Sequence, residues 1–195
     1  MSGSEALDYS KYFWQGSRVR LRPLRPGDAE QAFADSLDTP SRTTLELGVE
    51  LPTSVPALRE FMGRYGDCKD VDGVIIFCIE TLDGTSVGGI SWHTRSPKNG
   101  TFSFGVNVRT DQRRHRYAEE AARILFRYAF SERRFQKCTS ACLSHNEASI
   151  RLHHKLGFVE EGRRRRQFYV NGRYHDETLF GLTREEFEAN DQRSG

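Results

Sequence analysis

The run Arg109-Thr-Asp-Gln-Arg-Arg-His-Arg-Tyr-Ala118 is the part of the chain best built to hold an anion. It joins a strand signal to a helix start, where unpaired backbone N–H groups and the helix dipole attract phosphate. Arg113, Arg114 and Arg116 add guanidinium forks suited to phosphate oxygens. Cations at a helix amino end oppose its dipole, so three of them there call for a reason. Two other groupings carry less chemistry. Cys138, Cys142 and His145 lack the paired Cys-x-x-Cys or His spacing of a zinc site, and cysteines four apart on a strand share one sheet face. Arg163 to Arg166 has the look of a nucleic-acid patch, yet on a strand these side chains divide between two faces.

These residues need a scaffold, and the pattern supplies one. Arg18 to Leu24 alternates Val19 and Leu21 with Arg18, Arg20 and Arg22, as a half-buried strand does. Pro26-Gly-Asp-Ala29 turns into a helix ending near Leu37, with Asp28 as its N-cap. Residues 38–52 read as a loop or broken helix, and a second helix spans about Val55 to Tyr65. Val74 to Glu80 and Ser86 to Thr94 form a hairpin over Asp83-Gly84. Thr101 to Val108 alternates strictly, with Phe102, Phe104, Val106 and Val108 on one face and Ser103, Gly105 and Asn107 on the other. From Tyr117 to Phe130 the period becomes helical, with Ala121, Ala122, Leu125 and Ala129 in one stripe. Lys137 to Ser144 is a strand, Asn146 to Leu156 a helix stopped by Gly157, and Asn171-Gly172 turns a final hairpin. Thr183 caps a last short helix. The order β-α-α-β-β-β-α-β-α-β-β predicts a mixed α/β layer architecture. If the strands at 101–108 and 137–144 are parallel, the helix between them is their crossover.

The chain has 195 residues, 36% hydrophobic, with 13 Phe, 7 Tyr and 2 Trp, which suits one core and excludes a wholly disordered polar chain despite a mean hydropathy of −0.67. Residues 1–16 and 190–195 read as a loose arm and a flexible end around a single domain at 17–189. No window is apolar enough to span a membrane, and the first fifteen residues do not read as a secretory signal. Four cysteines without scaffold density fit a reducing, cytoplasmic setting. Segments 109–134 and 151–176 each carry a net +4, so the remainder is strongly acidic within a total of +2. That asymmetry predicts an anion on the carboxyl-terminal half and a cation toward the amino-terminal half. So small a total argues against non-specific nucleic-acid binding.

With the motifs Tyr117-Ala-x-Glu120-Ala121, Asn146-Glu-Ala-Ser-Ile150, Lys155-Leu-Gly-Phe158 and Phe168-Tyr-Val-Asn-Gly-Arg-Tyr-His-Asp176 in this order, the chain resembles the GCN5-related N-acetyltransferases (GNAT). It is most similar to the branch of ribosomal-protein N-terminal and spermidine N-acetyltransferases, over about Arg18 to Glu188. The resemblance implies a mixed central sheet flanked by helices on both faces, with splayed parallel strands at 101–108 and 137–144. It implies acetyl-CoA as co-substrate and no metal. Its pantetheine arm would pair with backbone at Val106, Asn107 and Val108, its pyrophosphate would sit on Arg113, Arg114, His115, Arg116, Tyr117 and Ala118, and Asn146 and Ser149 would contact the arm or order the site. An amine would attack the thioester directly: a polyamine, an aminoglycoside-like amine or a protein N-terminus. Related proteins often pair as dimers.

Three departures from the family pattern matter. Arg114 and Arg116 stand where the family's loop has glycines, and either replace closeness with charge or crowd the site. Ser103 stands at the family's base position on the third sheet strand. A serine cannot deprotonate an ammonium unaided, so His93 and Glu46 enter as alternative bases. His153 takes the place of the family's tyrosine acid, and an imidazolium can protonate a thiolate. The competing reading is a GNAT-fold module that binds CoA or a regulator without turnover.

Overall fold

The computed structural model describes residues 8–191. One seven-stranded sheet runs in the order β1-β2-β3-β4-β5-β7-β6, built from Val19–Pro23, Val74–Thr81, Ser86–Ser96, Thr101–Val108, Lys137–Leu143, Val159–Val170 and Arg173–Thr183, numbered β1 to β7 along the chain. Every pairing is antiparallel except β4 with β5. The helices are α1 (Ala29–Ser36), α2 (Thr39–Glu46), α3 (Val55–Tyr65), α4 (Tyr117–Arg127), α5 (Glu147–Leu156) and α6 (Arg184–Asp191). The α/β architecture with a mixed sheet flanked by helices is therefore as the sequence predicts. No helix among the described residues is long and apolar enough to cross a membrane.

The parallel pair is the feature that shapes the molecule. β4 and β5 are in register only at Thr101–Lys137 and Phe102–Cys138, after which they part. The Thr139 hydroxyl donates to the Phe102 carbonyl (3.3 Å) where the ladder stops. Beyond that point the β5 side of β4 has no strand partner, and its polar groups are open to an extended ligand.

One face of the sheet holds the core. Phe77, Ile79, Ile90, Trp92, Phe102 and Phe104 meet Ile124, Leu125, Phe126 and Phe130 of α4 and the turn that continues it. Edge-to-face contacts join Phe104 to Phe126 (4.9 Å) and Phe102 to Phe130 (5.4 Å). Such burial of aromatic rings is the largest favourable contribution to folding.

β1 differs from its simple alternation. Arg22 is 7% exposed, its guanidinium held by Glu80 (2.6 Å) and by both carboxylate oxygens of Asp28 (2.8 Å each). Glu80 also accepts from Arg20 (2.7 Å). Asp28 consequently makes no side-chain cap for α1, contrary to expectation: its carboxylate is committed to Arg22 and the Arg25 N–H. Residues 38–52 contain a regular helix, α2, started by the Asp38 side chain on the Ser41 N–H. At the other end, Thr183 and Glu186 exchange side-chain to backbone hydrogen bonds and cap α6.

The amino-terminal segment is tied down within its described part. Trp14 stacks on Phe77 (5.2 Å) and packs on Tyr128 (4.8 Å). The Glu120 carboxylate of α4 accepts from the Ser17, Arg18 and Val19 N–H groups and the Ser17 hydroxyl at 2.7–2.9 Å. Residues 1–7 and 192–195 lie outside the described residues.

Candidate active site

The loop between β4 and α4 keeps a glycine-like backbone while carrying arginine. Arg114 (φ 70°) and Arg116 (φ 62°) both sit in the left-handed region, at the two positions where the resemblance implies glycine. For a side chain with a Cβ this costs about 1 kcal/mol each. Arg116 is the residue immediately before α4, so the loop still delivers its following N–H groups to the helix amino end. The three guanidiniums do different things. Arg113 folds back to donate to the Val108 carbonyl (3.3 Å) and to Ser41 (3.1 Å). Arg114 and Arg116 are exposed, and neither guanidinium has a hydrogen-bond or ion-pair partner among the described residues. They leave the loop open, and their charge is free for a ligand. His115 stacks on Tyr117 (5.2 Å), and with Arg18 these rings line a cleft of about 450 Å³ at the same helix end. Ala118 follows in the first turn.

On β4, Ser103, Gly105 and Asn107 share the face opposite the core and lie across from His93, Ser91 and Gly89 of β3. Ser103 is buried, and its hydroxyl accepts from Arg95 Nε (2.7 Å). Its cross-strand partner is His93, but the hydrogen bond it makes is with Arg95, which it supports. His93 is half-buried, and its Nε2 lies 2.9 Å from the Ser91 hydroxyl, which reaches the Gly105 carbonyl at 3.4 Å. The Ser91 hydroxyl thus stands between the imidazole and a strand carbonyl and holds the ring in place. Nδ1 has no hydrogen-bond partner among the described residues. Burial, and next the Arg95 guanidinium, pull the imidazole below its ordinary value, so at neutral pH it is an unprotonated base. Gly105 makes this possible, since a Cβ there would lie 3.0 Å from Ser91 Oγ. Glu46 ends α2.

Across the split, α5 begins at Asn146, whose side chain accepts from the Ser149 N–H (3.1 Å). His153 projects from that helix into the interior, only 4% exposed, stacked on Phe180 at 4.4 Å. Its Nδ1 donates to the Ser149 carbonyl (2.8 Å), and its Nε2 faces the Ser140 hydroxyl (2.8 Å). Burial depresses its pKa, against the pull of the Ser149 carbonyl, which favours the charged form. The ring is therefore neutral, and its one proton is already given to a carbonyl. That is the wrong state for the acid that its place in the motif suggests.

Two groupings read from the sequence divide otherwise. Cys138 and Cys142 are both buried free thiols on one strand, with Cys138 raised well above its ordinary value by burial. Among the described residues no three His, Cys, Asp or Glu side chains gather to hold a metal. The amino-terminal acids are already engaged: Asp35 with Arg109 (3.6 Å), Asp38 with Thr110 (2.6 Å) and Glu50 with Arg42 (2.6 Å). Ser91 and Ser140 escape sequence reasoning. A serine on a strand carries no signal until a partner histidine is found beside it.

Comparison with known proteins supports one fold and one family. Residues 18–159 match the family described as Acetyltransferase (GNAT) domain. The chain is 34% identical over 178 residues to the SPbeta prophage-derived uncharacterized N-acetyltransferase YokL of Bacillus subtilis (strain 168), covering 91% of this chain and 97% of that protein. Two crystal structures share its fold. The spermidine N-acetyltransferase from Vibrio cholerae, in complex with CoA and spermine, superposes with a TM-score of 0.77 at 19% identity, over 89% of this chain and 99% of the other. A GCN5-related N-acetyltransferase from Brucella melitensis gives a TM-score of 0.75 at 23% identity, over 92% and 81%.

Proposed function

The chain belongs to the GNAT acetyltransferases, and from that premise we propose that it moves an acetyl group from acetyl-CoA to a single primary amine, with His93 as general base. The observation that carries this reading is the Gly105–Ser91–His93 chain, which holds the half-buried imidazole by Nε2 and leaves Nδ1 without a partner among the described residues. The thioester arm would lie in the split, against the backbone of Val106 to Val108. The pyrophosphate would rest on the loop 113–118, where Arg114 and Arg116 supply charge over a glycine-like backbone.

His93 removes a proton from the acceptor ammonium, and the freed nitrogen attacks the acetyl carbonyl. A C–N bond forms, the C–S bond breaks, and the second proton of the attacking nitrogen passes to the departing sulfur, giving CoA thiol and the neutral amide. General-base help of this kind is worth about 100-fold or more.

The acceptor class follows from charge. A polyamine needs several carboxylates, yet Asp35, Asp38 and Glu50 already have cationic or hydroxyl partners, and Arg95 stands next to the base. A peptide amino terminus, with one ammonium, meets no such demand, so it is favoured over spermidine or an aminoglycoside. A thiol-release assay over a short peptide, spermidine and an aminoglycoside tests this. Release is expected with the peptide above all; binding of CoA without release on any amine overturns it.

A further inference from the structure

The strand that forms the other wall of the split holds a second serine–histidine pair, which amine transfer does not use. Ser140 lies two residues beyond the last β4–β5 pairing, so it stands where the strands first separate. Its register partner on β7 is Phe180, which closes that side, and His153 on α5 covers it from above. Ser140 nevertheless stays partly exposed while His153 is buried, and on its β4 side the strand has no ladder partner at this level.

The hydrogen bonds have a direction. The Ser149 carbonyl can only accept, so the His153 proton is on Nδ1, and Nε2 must take the hydrogen of the Ser140 hydroxyl. The ring cannot turn to another partner, because Phe180 lies parallel to it at 4.4 Å and Phe158 meets its edge at 5.1 Å. A hydroxyl held by a neutral imidazole, itself oriented by a third group, is the arrangement that activates a serine nucleophile. The same geometry makes His153 a poor first donor of protons and a good acceptor.

We propose that Ser140 is an acyl-accepting nucleophile, and that without an amine the protein acetylates this serine and slowly hydrolyses the thioester. The inference rests on the reading that acetyl-CoA lies in the split. In the first step Ser140 Oγ bonds to the acetyl carbon as the C–S bond breaks. The hydroxyl proton passes to His153 Nε2 and from there to the departing sulfur, giving CoA thiol. In the second step water attacks the ester carbon and gives its proton to the same Nε2. Acetate and a proton leave, and Ser140 recovers its hydroxyl. His153 here is a base, not the thiolate acid that its motif position suggests, although the proton it has taken is the one that reaches the sulfur.

The test uses the full chain with acetyl-CoA and no acceptor, read by intact mass, peptide mapping and hydroxylamine lability, alongside calorimetric binding of CoA. The expected result is a gain of one acetyl group on the peptide holding Ser140, removed by hydroxylamine as an ester is, with thiol release at a low rate. Ser140→Ala should abolish both while CoA still binds. His153→Gln should slow acylation by about 100-fold or more. As that residue is buried and its replacement can unfold the chain, Ser140→Cys gives a second test: the adduct at the same position should become an acetyl thioester, cleaved by hydroxylamine already at neutral pH. Binding of acetyl-CoA with no adduct on residue 140 overturns this inference and leaves the transferase reading intact. Absence of binding overturns both.

Discussion

Two serine–histidine pairs stand on either side of the split, one on β3 behind β4 and one shared by β5 and α5, and identical residue types are set to opposite tasks. In the β3 pair Ser91 lies between the Gly105 carbonyl and His93 Nε2, so it orients His93 and leaves the other ring nitrogen without a partner among the described residues. In the β5 pair the carbonyl of Ser149 takes the histidine proton, so His153 primes Ser140. One pair is half-open and ends in a base; the other is buried under Phe180 and ends in a hydroxyl. A single backbone carbonyl stands against the serine in one pair and against the histidine in the other.

Replacing His93 separates the pairs most. His93→Gln should lower amine-dependent kcat by about 100-fold or more near neutral pH while CoA affinity holds, as steady-state kinetics with calorimetry would show. The working form is the neutral ring, and burial with Arg95 holds its pKa below the ordinary 6.5. Turnover in the parent should therefore be level at neutral pH and fall only as pH drops through that depressed value. His93→Gln should remove this limb.

Glu120→Ala asks whether the pairs are local devices. Burial alone would raise the Glu120 pKa, but the hydrogen bonds from Ser17, Arg18 and Val19 outweigh it and the value is lowered. Its contribution is thus complete above the unfolded carboxylate pKa and lost as pH falls through the folded one. Denaturant titration at neutral pH should show a loss of about 2 kcal/mol, shrinking in acid. The pH limb of His93 should not move.

Ser91→Ala should cost about tenfold in kcat, since the base remains but its ring is no longer held in place. The smallest effect is at the phosphate loop. Arg116→Gly should stabilise the fold by about 1 kcal/mol by relieving the left-handed backbone. It should also weaken CoA binding and flatten its dependence on salt, which leaves both pairs unaltered.

The elements were legible where local pattern and tertiary role agree. β4 keeps the bounds its alternation predicts, Gly157 ends α5 with φ 91°, and the Asn171-Gly172 turn joins β6 to β7. α2 was harder to read, because Thr39–Glu46 has no continuous apolar stripe and is marked mainly by Asp38 and Pro40 at its start. β1 hid its second buried face, since the partner that neutralises Arg22 lies some sixty residues on, in Glu80. At the site, the position of His153 was readable from its motif. Its protonation state was not, for that is set by the Ser149 carbonyl and by aromatic rings from other elements. The arginines at 114 and 116 announced a departure, but only the backbone angles show that the loop absorbs it.

The docking of the amino-terminal segment also sets how this protein can be watched. Its two tryptophans, Trp14 and Trp92, both lie within reach of Tyr128, at 4.8 and 6.2 Å. Their emission reports an aromatic seam on the helix-covered side of the sheet, on the opposite side from His93. A fluorescence melt therefore follows the seam and the attached amino-terminal segment together, and gives an optical baseline on which ligand occupancy can be measured separately.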